Sequence, residues 1–111
     1  MIEIKKADKL LKSSLKINDD AYVCTDKGEV LGFVEYKYQN KDLIITKIDC
    51  NENMLADGLV RQTMSNALDN GMEIAKFEPQ AQKRLFEIRI IKKEDQKSLD
   101  ILEFFMKFNH I

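Results

Sequence analysis

The stretch LIITKIDCNENMLADGLVRQTMSNALDNGMEIAKF, residues 43–77, decides the fold. In LIITKID, Ile44, Thr46 and Ile48 alternate with Leu43, Ile45, Lys47 and Asp49, a period of two that predicts a strand. A polar loop follows, Cys50-Asn51-Glu52-Asn53. Leu55, Leu59, Val60, Thr63, Met64, Ala67 and Leu68 then recur at helical spacing and make a broad apolar face. Asn70-Gly71 supplies a left-handed stop, and Ile74-Ala75-Lys76-Phe77 resumes an extended run. A strand that enters a helix through a short loop turns the helix's first amides and its positive dipole end toward that loop. Many folds bind phosphate this way, so function is expected here.

Outside this unit, composition sets bounds. At 111 residues, one domain over 1–111 is expected, and 44% hydrophobic with 33% charged residues allows a single core and a solvated surface. Eighteen Lys and Arg against 19 Asp and Glu give a net charge of −1. That balance argues against nucleic acid or an anionic membrane as a partner, since both select a positive surplus. Lys5, Lys6, Lys9, Lys12 and Lys16 cluster, but Glu3, Asp19 and Asp20 lie close by, as on a solvated helix face. Cys24 and Cys50 are too few for a disulfide scaffold and read as buried thiols. No run is long enough to span a membrane, and no signal peptide precedes the first charges. A cytoplasmic protein without a metal is expected; His110 stands alone and no Cys/His spacing suits zinc.

Toward the N-terminus, Ile2 and Ile4 suggest a short strand, and Leu10, Leu11, Ser14 and Leu15 one face of a helix over about residues 7–16. Tyr22–Thr25 and Val30–Tyr38 are β-rich, joined by the hairpin turn Asp26-Lys27-Gly28-Glu29. Gly32 inside the second strand signals a bulge or a close backbone approach. Gln39-Asn40-Lys41-Asp42 makes another tight turn, so the first half is an antiparallel meander. Toward the C-terminus, Pro79 suits the first position of a helix. Ala81, Leu85 and Ile88 fit helical spacing, while Phe86, Ile88 and Ile90 alternate like a strand; residues 80–91 stay open between the two. After a turn at Lys92–Asp95, Ile101, Phe104, Phe105 and Phe108 share a helical face, with Asp100 and Glu103 placed for a capping box.

With these elements in order, the chain resembles the GNAT superfamily of N-acetyltransferases over roughly residues 2–91. Asp26-Lys27-Gly28-Glu29-Val30-Leu31-Gly32-Phe33 is similar to that family's hairpin, Leu59 through Asn70-Gly71 to its central helix, and Leu85-Phe86-Glu87 to a Leu-Tyr-Glu segment. The resemblance implies an α/β fold of the α+β kind: a mixed, mostly antiparallel sheet, flanked by helices, that splays between its fourth and fifth strands. It implies acetyl-CoA in that splay, with Ile48, Cys50, Asn53, Met54, Leu55, Ala56 and Asp57 as cofactor-binding residues. It further implies an acceptor that is a small amine or a protein amine, in a monomer or homodimer with shortened N-terminal helices.

The sequence departs from that family at two places. In the pyrophosphate motif Arg/Gln-x-x-Gly-x-Gly/Ala, Asn51 and Met54 replace the first two fixed residues and only Ala56 conforms. Glycine there lets backbone approach phosphate closely. Phe86 stands where many members carry a tyrosine acid, and a phenyl ring has no proton to donate. Glu35 and Asp49 are the candidate general bases, each weighed against a solvated strand residue. Cys50 could carry an acyl group, but no histidine lies near it in sequence to activate it. Arg61 follows Asp57 by four residues, a surface ion pair worth about 0.3 kcal/mol, and Asn53 is placed to cap the central helix. Two functions follow: transfer of an acetyl group to a primary amine by direct attack, or a non-catalytic GNAT-like binding or regulatory module.

Overall fold

The computed structural model describes residues 1–108, the Phe108 side chain excepted, so His110 and the Phe108 part of the aromatic stripe lie outside the described residues. Its elements are β1 (Ile2–Lys6), α1 (Lys9–Ser14), β2 (Asp20–Asp26), β3 (Glu29–Gln39), β4 (Asp42–Cys50), α2 (Asn53–Asp69), β5 (Ile74–Phe77), α3 (Pro79–Glu87), β6 (Ser98–Asp100) and α4 (Ile101–Phe108). The six strands lie side by side in chain order. All neighbours are antiparallel except β4 and β5, which are parallel because α2 carries the chain back between them. This is the mixed, mostly antiparallel sheet expected from the sequence.

The meander follows from its turns. Lys27 and Gly28 (φ 51° and 85°), then Asn40 and Lys41 (φ 52° and 68°), give two-residue hairpins whose twist matches the strands they join. Gly32 meets both of its expectations. The register slips beside it, pairing Cys24 with Gly32 but Thr25 with Val30, so Leu31 is the extra residue of a bulge. A Cβ on Gly32 would also lie 2.6 Å from Cys50 Cβ.

Two apolar faces result. Tyr22, Val34, Tyr36, Leu43, Ile45 and Ile48 project toward α2, which buries Ala56, Leu59, Val60, Thr63, Met64 and Ala67 against them. Leu55 and Leu68, expected on that helical face, are only half-buried at its border. On the other face Ala21, Val23 and Phe33 pack with Ala7 and Ile17, and with Leu11 and Leu15 of the α1 region. A helix of six residues there agrees with the shortened N-terminal region expected. The Tyr36 ring stacks on Tyr22 at 5.8 Å and is fully buried, yet its hydroxyl has no hydrogen-bond partner among the described residues. A buried hydroxyl without a partner costs stability. Tyr36→Phe should therefore raise unfolding free energy by about 1 kcal/mol; a loss in urea titration would mean that the hydroxyl is satisfied in solution.

Several boundaries differ from expectation. The α2 N-cap is Glu52, whose carboxylate accepts from the Met54 amide at 3.3 Å, and Asn53 is the first helical residue. The open segment 80–91 is helical through Glu87 and then turns through Arg89 (φ 64°), which buries Ile90 and Ile91. Strand β6 was not anticipated: three residues that pair with β5 immediately before α4. Asp100 caps α4 by accepting from the Glu103 amide at 2.9 Å, one half of the expected box.

At the other end of α2 the stop lies where Asn70-Gly71 placed it. Gly71 has φ 87°, its amide donates to the Leu68 carbonyl, and the Met72 amide donates to the Ala67 carbonyl, the paired bonds of a Schellman stop. Nothing lies within 4 Å of a Cβ built at Gly71, so only backbone strain opposes a side chain. Gly71→Ala should cost about 1 kcal/mol, read by denaturant titration; an unchanged midpoint would show that the helix ends elsewhere.

Candidate functional site

The site is built where β4 parts from β5. Pairing between them runs from Asp42 with Ile74 to Ile45 with Phe77 and then stops, while β4 continues to Cys50. At that point β4 also bulges: Tyr36 pairs with Ile45 but Glu35 with Lys47, leaving Thr46 as the extra residue, its hydroxyl donating to the Glu35 carbonyl at 3.1 Å. The bulge breaks the simple alternation expected over Leu43–Asp49. Leu43 and Ile45, then Ile48 and Cys50, all point into the core.

Beyond β5, the free edge of β4 is met by the segment that follows it. The Glu78 amide donates to the Ile45 carbonyl at 3.0 Å. The Gln80 side-chain amide spans both backbone groups of Ile48: Oε1 accepts from its N–H at 2.9 Å and Nε2 donates to its carbonyl at 2.8 Å. Arg84, one helical turn on, donates from Nη2 to the carbonyls of Cys50 (2.7 Å) and Asn51 (3.2 Å), and from Nε to Cys50 (3.2 Å). Neither Gln80 nor Arg84 stood out in the sequence. Their i, i+4 spacing, on the helix after a strand that stops short, was the available signal.

The expected cofactor residues divide by side chain. Ile48 and Cys50 point into the core, so only their backbone faces the splay. Ala56 is fully buried beneath α2, so only its backbone can meet a ligand, and Leu55 is half-buried at the core border. Bulk at Ala56 would therefore strike the core, whereas the sequence placed it against phosphate. Asn53, Met54 and Asp57 do line one cleft of about 410 Å³, with Glu87, Ile88 and Arg89 opposite. Asp57 is held by Arg61 at 2.8 Å, the expected i, i+4 pair. The end of α2 that should draw an anion thus carries the Glu52 carboxylate as its cap, with Asp57 and Glu87 beside the cleft and Arg89 as the cleft's basic residue.

The expected bases lie on the opposite face of the sheet. Glu35 pairs with Lys47 and Phe33 with Asp49, placing both carboxylates on the α1 side. Lys47 Nζ sits 5.8 Å from the centre of the Phe33 ring. Burial, then the neighbouring Asp19 carboxylate, pushes Glu35 above its ordinary range; Lys47 offsets part of this. Asp49 is exposed. The two thiols are free and buried, and burial pushes both upward, Cys50 despite a backbone hydrogen bond at Glu52 and the nearby Arg84 charge, which act the other way. Among the described residues no group of three or more metal-ligating side chains forms, and no helix is long and apolar enough to cross a membrane.

No protein-family model matches the chain, and no curated protein matches it. Solved structures do resemble it. An acetyltransferase of the GNAT family from Staphylococcus aureus Mu50 superposes with a TM-score of 0.60 at 6% identity, over 80% of this chain and 78% of that one. An IAA acetyltransferase from Bacillus cereus gives 0.55 at 18%, over 69% and 65%. A Bacillus subtilis acetyltransferase in complex with CoA gives 0.52 at 13%, over 69% and 64%. The matches thus span just under two thirds of the last two proteins. The class defined is one of architecture: this chain has the GNAT acetyltransferase fold.

Proposed function

We propose that this chain is a GNAT-type N-acetyltransferase, moving an acetyl group from acetyl-CoA to a primary amine of a small molecule or a protein by direct attack. The supporting observation is the parting of β4 from β5 after Ile45 and Phe77, which leaves the backbone of residues 46–50 beside the start of α2. The residues suit a CoA thioester unevenly. The Ile48–Cys50 edge carries N–H and C=O groups that an extended amide chain could take once Gln80 and Arg84, which now hold them, give way. The first turn of α2 and Arg89 offer positive ends to a diphosphate. Glu52, Asp57 and Glu87 oppose that anion.

When bound, acetyl-CoA supplies an acyl group already activated as a thioester. Glu35 is the residue we assign to take the proton that the amine sheds, which requires the amine to reach the thioester from the α1 face where that carboxylate lies. A carboxyl raised by burial also suits a base near neutral pH. Phe86 has no proton for a departing thiolate, so backbone positioning and polarisation carry the rate. Cys50, buried and held protonated, is not an acyl carrier in this reading. Two reduced thiols suit the cytoplasm.

Weak binding is expected, with Kd about 0.1 mM or worse, roughly −5.5 kcal/mol. Acetyl-CoA at ten times Kd should add about 1.4 kcal/mol of stability and move the amide signals of Ile48, Cys50 and residues 53–57. No change in melting temperature or in those amides at millimolar ligand would overturn this. The second reading, a non-catalytic binding or regulatory module, would then stand; the carboxylates around the 410 Å³ cleft favour it.

A further inference from the structure

The free edge of β4 is not open. A strand edge that has lost its neighbour presents unpaired N–H and C=O groups, which proteins cover or pair. Here the cover is made of side chains. The Gln80 carboxamide presents an acceptor oxygen beside an N–H donor, the same pair that a residue of an adjacent strand would present. These two are spent on Ile48 at 2.9 and 2.8 Å, leaving the second N–H of the amide over. The Arg84 guanidinium completes the cover at Cys50 and Asn51. Together with the Glu78 amide on the Ile45 carbonyl, residues 78–84 stand in for the strand that β5 fails to extend.

From this geometry we infer that Gln80 and Arg84 form an internal clasp, which competes with any extended amide-bearing ligand for the β4 edge. The pantetheine arm of a CoA thioester, an extended chain with two amides, is such a ligand; to that extent the inference rests on the function proposed above. The clasp is built to release. Gln80 is exposed and the Arg84 side chain largely buried, while α3 is anchored separately by the buried Ala81 and Leu85. Gln80 can swing to solvent by side-chain rotation alone, with no movement of those anchors. Arg84 has a second resting place in the Glu87 carboxylate, now 3.4 Å away, so releasing the carbonyls does not leave its charge unpaired. The protein with its clasp closed is the low-affinity state. Ligand then binds only the open fraction, and its apparent Kd is the intrinsic value divided by that fraction.

The test is NMR titration of the full chain with acetyl-CoA, comparing wild type, Gln80→Ala and a control, Gln82→Ala, whose native amide bonds the Glu94 carbonyl instead. Gln80→Ala should bind at least tenfold more tightly, and its Ile48 amide should exchange faster without ligand; the control should match wild type. In wild type, the Gln80 side-chain amide protons should shift in step with the Ile48 amide as ligand is added. Equal affinity in wild type and Gln80→Ala would overturn the clasp and leave the acetyltransferase reading intact. Absence of binding in both would overturn the two together. The wild-type side-chain signals decide the matter even if the variant folds poorly: Ile48 moving while the Gln80 amide protons stay fixed would also overturn the clasp.

Discussion

Glu35→Gln should lower amine acetylation by about a hundredfold or more, the usual worth of a positioned base, without lowering stability at pH 7. The carboxylate is half-buried beside Asp19, and both features favour its protonated form. Its folded pKa thus lies above the ordinary value of 4.5. The sign for stability follows from linkage: the folded state holds this proton more tightly than the unfolded chain does. The associated stability is present in full below the unfolded value and is lost as pH rises through the folded one. At pH 7 the wild type bears the cost of an ionised, crowded carboxylate that the amide variant lacks, whereas toward pH 4 the wild type gains relative to that variant. CoA release with a panel of primary amines reads the first effect, and urea titrations at pH 4.5 and 7 read the second. Undiminished turnover would make Glu35 a solvated strand residue; loss in Asp49→Asn instead would move the role to Asp49.

The largest effect on stability is expected at Gly32, where β3 crosses the end of β4. A Cβ there would sit 2.6 Å from Cys50 Cβ, 2.7 Å from its sulfur and 2.9 Å from the Asp49 carbonyl. Two of those three atoms are backbone or fixed to it, so no rotamer change relieves the overlap. Gly32→Ala should cost about 3 kcal/mol, the upper range for overpacking. Trimming the sulfur with Cys50→Ala leaves the tightest contact and should not help. In a Cys50→Gly background the penalty should fall by at least about 1 kcal/mol, a coupling of the size found between touching residues. Additive costs in that double-mutant cycle would show that the strands separate at little expense.

The stretch Leu43–Phe77 was legible because it is long and strongly periodic, and both glycines flagged by conformation, Gly32 and Gly71, proved to need the absence of a side chain. What escaped was short or local. Strand β6 offers a single apolar residue, Leu99, and exists through backbone pairing to Ala75 and its neighbours; three residues carry no period. The alternation of Phe86, Ile88 and Ile90 mimicked a strand because the chain leaves α3 at Glu87 and turns at Arg89, so residues from two conformations were read as one. The bulge at Thr46 shows in burial, which steps by two from Leu43 to Ile45 and then by three to Ile48, but Ile44, as apolar as its neighbours, hides that step in the sequence. Ala56 could be read two ways, because a small residue serves tight core packing as well as close backbone approach to a ligand; its side chain does the first. The Gln80 and Arg84 contacts depend on β5 being four residues long, which becomes clear only once strand lengths are known.

Strand order equal to chain order also bears on how the molecule assembles. From β2 to β4 each pairing is closed by a two-residue turn, so loop-closure entropy is small there, while β1 joins β2 across residues 7–19 and α1. The β4–β5 junction is different. Its strands must wait for the whole of α2 to form and dock before Ala75 can find Leu43. The parallel step is therefore expected to form more slowly than the two hairpins, and β6, which pairs with β5, has to follow it.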